Sequence, residues 1–110
     1  MTADDFRRIA CSLPGANESS HMDHPDFRVG KRVFATLWPD RGHGVVMLTP
    51  EQQRILTAAQ ADVFAPVAGG WGVKGATIVR YALASEAAVH GALLMAWENK
   101  APRTLLAERG

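Results

Sequence analysis

At 110 residues, with 47% hydrophobic and 21% charged side chains, the chain suits one folded domain spanning 1–110, too short for separate cofactor and substrate domains. A formal net charge of +1 supplies no global field for nucleic acid or membrane, so any such binding must come from local clustering. The single cysteine, Cys11, excludes an internal disulfide, and neither a charged leader nor a membrane-length apolar run is visible, so a reduced, cytoplasmic setting is expected.

Thr2-Ala-Asp-Asp5 spells a capping box, after which Phe6, Ile9, Ala10 and Leu13 recur at helical spacing until Pro14-Gly15. From Glu18 to Trp38 the pattern becomes extended. Gly30-Lys31 could form a two-residue turn. A three-residue loop from Gly30 to Arg32 is favoured, because it places Phe27, Val29, Val33, Ala35 and Leu37 on one apolar face. That register leaves Phe34 and Trp38 on the opposite face. Pro39 to Gly44 is a dense turn signal, and Val45 to Leu48 reads as a further strand.

Thr49-Pro50-Glu51-Gln52 starts a helix with Ile55, Leu56 and Ala59 as apolar positions, ending near Ala61. A loop containing Pro and Gly follows, then a strand from Ala76 to Tyr81. Ser85 caps a long helix that buries Val89, Leu93, Leu94 and Trp97, and 101–110 reads as a short tail broken at Pro102. Strands joined by short turns and flanked by helices predict an α+β fold, a single antiparallel sheet with helices packed mainly on one face.

Gly70-x-Gly72-x-x-Gly75 has the spelling of a dinucleotide-binding loop. Such a loop works by aiming a helix N-terminus at the pyrophosphate, whereas here a strand follows the glycines. A Walker loop needs a hydroxyl residue after its lysine, and Lys74 is followed by Gly75. The glycines are therefore expected to serve the backbone, with Trp71 folded over the edge of the core and no cofactor bound.

His21-Met-Asp-His24-Pro-Asp26 has the look of a metal cluster. Pro25 pushes His24 from helical geometry, and the stretch reads as a turn without a metal. Cys11 reads as a small buried hydrophobe. Ser19-Ser20-His21 lacks the elbow that would make a nucleophile, and no set of acid, base and nucleophile is visible, so no enzyme is expected. The cations are more suggestive. Arg28, Lys31 and Arg32 surround one hairpin tip, Arg41 lies in the next turn, Lys74 and Arg80 flank the strand after the glycines, and Trp38 and Trp71 sit among them. Cations interleaved with aromatic rings can follow a phosphate backbone. The competing explanation is a solvated strand edge guarded against aggregation.

Taken in order, Phe6-Arg-Arg-Ile-Ala10, Ser12-Leu-Pro-Gly15, Glu18-Ser-Ser-His-Met22, His24-Pro-Asp-Phe-Arg-Val-Gly30, Val33-Phe-Ala-Thr-Leu37, Leu48-Thr-Pro-Glu-Gln-Gln53, Gly69-Gly-Trp-Gly72 and Gly75-Ala-Thr77 resemble the MmcQ/YjbR family of small bacterial proteins. The resemblance spans essentially the whole chain and implies a CyaY-like, or double-wing, α+β fold. It also implies DNA binding, suggested for the family by fold similarity, and no agreed catalytic residues. Two departures stand out: Met47 occupies a place where relatives usually carry Lys, and the turn reads Gly30-Lys31-Arg32 where a pair of glycines often precedes Lys.

The expectation is a non-enzymatic DNA-binding or DNA-associated regulatory protein, weak and of low sequence specificity. Arg28, Lys31, Arg32, Lys74 and Arg80 would meet phosphates, and Trp71 or Trp38 an unpaired base. The alternative is a protein- or small-molecule-binding module using the sheet face with Phe34 and Trp38.

Overall fold

The first helix begins as its capping box dictates: the Asp5 amide donates to the Thr2 hydroxyl at 3.2 Å, and the Thr2 amide donates to the Asp5 carboxylate at 2.9 Å. In the computed structural model, which describes residues 1–21 and 24–109, helix α1 covers Ala3–Ser12. The chain continues through β1 (Asn17–His21), β2 (His24–Val29), β3 (Arg32–Trp38), β4 (His43–Met47), α2 (Pro50–Ala59) and β5 (Phe64–Pro66). It ends with α3 (Gly70–Val73), β6 (Ala76–Val79), α4 (Glu86–Lys100) and α5 (Arg103–Arg109). The six strands form one antiparallel sheet in the order β1-β2-β3-β4-β6-β5.

Phe6 and Ile9 of α1 and Val89, Leu93 and Trp97 of α4 pack with Phe27, Leu37, Val46 and Val79 of the sheet into one buried cluster. Each fully buried large side chain of this kind contributes about 1.5–3 kcal/mol. Gly44 is required beneath this layer, because a Cβ there would collide with the Phe6 ring. The Trp97 indole N–H donates to the Pro14 carbonyl at 2.8 Å, which ties α4 to the end of α1 without stranding a buried donor. No helix among the described residues is long and apolar enough to cross a membrane.

The β2–β3 register corrects the sequence expectation. Val29 pairs with Arg32, so the turn is the two-residue one, with φ +55° at Gly30 and +70° at Lys31. Positive φ at both central residues matches the twist of the flanking strands. Further along, Phe27 pairs with Ala35 and Arg28 with Val33, leaving Phe34 as the extra residue of a β-bulge. The bulge turns Phe34 inward beside Ala35, and both are fully buried in the core. Phe34 therefore does not share the outer face with Trp38, and Val33, expected inside, is only partly buried there.

Other expectations shift for local reasons. Phe64-Ala-Pro66 is an edge strand rather than loop, tolerating Pro66 because one of its sides has no strand neighbour. The tail forms α5, whose Leu105 and Leu106 pack on the core. Helix α2 leaves Ile55 59% exposed while burying Gln53, a polar residue with work to do below. Cys11 lies on the exposed side of α1 rather than in the core.

Candidate binding face

Strand alternation places Trp38, His43, Val45, Met47, Ala76 and Ile78 on the face opposite the helical layer. Trp38 pairs with His43 across β3 and β4. On its other flank it stacks on His24, ring centroids 3.7 Å apart. Its indole N–H donates to the Thr36 hydroxyl at 2.9 Å, and the Arg41 guanidinium lies 5.6 Å from its ring centroid. Trp38 is thus clamped by a stack, a hydrogen bond and a cation–π contact, and forms a rigid wall.

That wall bounds a half-open cavity of about 350 Å³ lined by Trp38, Arg41, His43, Val45, Val67, Ala68, Trp71 and Ile78. Val45 is its buried floor, and Trp71, 48% exposed, stands at its mouth. None of these lining residues is a carboxylate. Burial, then the charges of Arg41 and Arg80, push the His43 imidazole below its ordinary value, with Asp40 acting weakly in the other direction. The site is therefore apolar and aromatic, with cations at one end and a histidine held toward its neutral form.

Trp71 is set in place by the glycine loop. Gly69 adopts φ +84°, and the chain then makes the single turn of α3. The buried Gln53 side chain donates to the carbonyls of Gly72 and Ala76, both at 3.0 Å, and staples the loop to α2. A Cβ at Gly72 would overlap the Val67 carbonyl oxygen, and one at Gly75, where φ is +117°, the Leu48 carbonyl oxygen. The glycines allow close backbone approach, as the sequence suggested, but they carry Trp71 over the sheet's outer face rather than over the core.

On its far side Trp71 borders a second cavity of about 180 Å³, shared with Met47, Leu48, Lys74, Ala76 and Lys100. One exposed indole thus joins two cavities, with Arg41 beyond one and Lys74 and Lys100 beside the other.

The cations singled out in the sequence do not form one cluster. Arg28 is engaged by Asp26, Nε to Oδ1 and Nη2 to Oδ2 both at 3.1 Å, and Asp26 is only 6% exposed. Lys31 and Arg32 are exposed at the start of β3. Arg80 follows β6, next to the pair Val79–Gly44, at the opposite end of the sheet beside His43. The seven residues of β3 separate these ends by about 20 Å. Lys74 lies with Trp71 and Lys100. His24 is committed to Trp38, while the side chain of His21, with Met22 and Asp23, lies outside the described residues.

His43, Val45, Val67, Ile78 and Lys100 carry no motif and escape a linear reading. The cations and tryptophans singled out in the sequence pointed to Trp38, Arg41, Trp71 and Lys74. For His43 the one signal was the turn at Pro39 to Gly44, which brings it opposite Trp38.

The sequence profile of the YjbR family matches residues 11–99. The fold is similar to the crystal structure of Deinococcus radiodurans protein DR2400, a protein with the family domain DUF419. The TM-score is 0.67 at 20% identity, over 87% of this chain and 75% of that one. At that identity the similarity speaks for the fold alone. No curated protein matches the sequence.

Proposed function

We propose, for a chain that belongs to the YjbR family, a non-catalytic role in binding single-stranded nucleic acid, DNA in the first instance, on the outer face of the sheet. The observation that carries this proposal is Trp71, an exposed ring shared by two adjoining cavities with cations at both ends. An indole stacks on any base at about 1–3 kcal/mol with little regard to sequence. Arg41 on one side and Lys74 with Lys100 on the other supply phosphate contacts along a strand passing over it. The unpaired base is favoured over a duplex because the platform is a half-open cavity edge on a sheet, and α3, which carries Trp71, is a single turn, too short to serve as a recognition helix in a groove.

Anisotropy titration of a short labelled oligodeoxynucleotide tests this function. Three phosphate contacts predict a log–log salt slope of about −2 on a single strand. Trp71→Ala weakens binding about tenfold, and Lys74→Glu with Lys100→Glu flattens the slope. Absence of binding at low salt, or an unchanged affinity in Trp71→Ala, contradicts the function.

A further inference from the structure

The cavity between Trp38 and Trp71 has features that a sequence-tolerant strand platform does not need. A strand could pass over Trp71 alone, yet this cavity has depth, with Val45 and Ile78 beneath and Val67 and Ala68 at the side. Its volume of about 350 Å³ falls in the range of small-ligand sites. Its walls are two indoles, one of them immobilised by His24, Thr36 and Arg41. Flat aromatic walls select a flat aromatic guest. Polarity is confined to the Arg41 and His43 end, and no lining residue is an acid that would repel an anion.

We infer that this cavity is a site in its own right for one planar aromatic ring carrying an anionic group, with the ring between the indoles and the anion on Arg41. The chemistry fits a single nucleotide unit or a free aromatic acid or phosphate, and the site stands whether or not a polymer binds the same face.

His43 links occupancy to pH. The groups that act on it are Arg41 and Asp40 from the preceding turn and Arg80 beyond β6, and Trp38 is its neighbour across the sheet. In the empty site burial and the two guanidinium groups favour the neutral ring. An anion on Arg41 offsets the charge of that guanidinium beside His43 and favours the protonated ring. Binding then takes up a proton, so affinity rises as pH falls through the histidine range.

Tryptophan fluorescence and thermal melting of the intact protein test the site, using phenyl phosphate, a nucleoside monophosphate, the matching uncharged nucleoside and inorganic phosphate. Both aromatic anions should bind saturably, with the nucleoside and inorganic phosphate at least about tenfold weaker. Equal binding of the two aromatic anions assigns a free aromatic source, and about tenfold preference for the nucleotide assigns a nucleotide unit. Either outcome supports the site.

Arg41 lies in an exposed turn, and Arg41→Gln should weaken both ligands about tenfold without loss of fold. Benzenesulfonate, whose own charge does not titrate, should bind about three- to tenfold more tightly at about pH 5.5 than at about pH 8. His43→Gln should abolish that difference, which assigns it to His43 rather than to His24.

No saturable binding of either anion, a nucleoside as tight as its phosphate, or an Arg41→Gln variant of unchanged affinity overturns the inference. If the labelled oligonucleotide binds while both aromatic anions fail, the inference falls and the single-strand function stands. The opposite result removes the single-strand function and leaves the site.

Discussion

Gly72 and Gly75 look alike in the sequence and do related but separable work. Gly72 lacks room for a Cβ because the Val67 carbonyl lies against it, whereas Gly75 combines a close approach to Leu48 with φ +117°. Alanine at either position must move backbone rather than a flexible side chain, so each change is expected to cost about 1–3 kcal/mol. Gly91, in the interior of α4 with open space where a Cβ would sit, is the contrasting case. There alanine should stabilise by about 0.5–1 kcal/mol through helix propensity and a less flexible unfolded chain. Urea denaturation of the three variants checks this. A neutral Gly72→Ala would mean that the loop yields and does not fix Trp71.

At the level of strands and helices, the bulge in β3 decides which side chains face the core. Phe34→Ala should destabilise by about 3–5 kcal/mol, as expected for a fully buried aromatic side chain, with binding unchanged in the folded fraction. A cost below about 1 kcal/mol in urea titration would return Phe34 to the outer face.

Strict alternation led to the wrong face for Phe34 because a bulge inserts one residue with no signature in a hydrophobic run. The capped helices were far more legible. Thr2 and Thr49 begin α1 and α2 through reciprocal bonds between residues three apart, so their chemistry is local. Elements that depend on distant partners were not. β5 exists because β6 pairs with it, and α5 because Leu105 meets Gly15 and Pro102 meets Gly30.

For the molecule as a whole, the antiparallel α+β sheet could be expected from the succession of strands, turns and helices, but the site could not. Trp38 and Trp71 were suspected from the cations around them, yet they meet only because β4 and β6 are neighbours and the glycine loop turns back over them. Net charge proved a poor guide to the local field. Asp26 engages Arg28, and Glu18 and Glu86 engage Arg7 and Arg8 on the helical side. The outer cavity retains Arg41 with no acid in its lining.

Amide and indole chemical-shift mapping of the protein titrated with a short single-stranded oligodeoxynucleotide tests the assignment of function to this face most directly. The largest changes are predicted at His43, Val45, Ile78, Lys74, Lys100 and the Trp71 indole, with α1 and the exposed side of the first turns of α4 unperturbed. Changes concentrated on α1 and the first turns of α4, or confined to the Gly30-Lys31 turn while Trp71 and His43 stay silent, would contradict it.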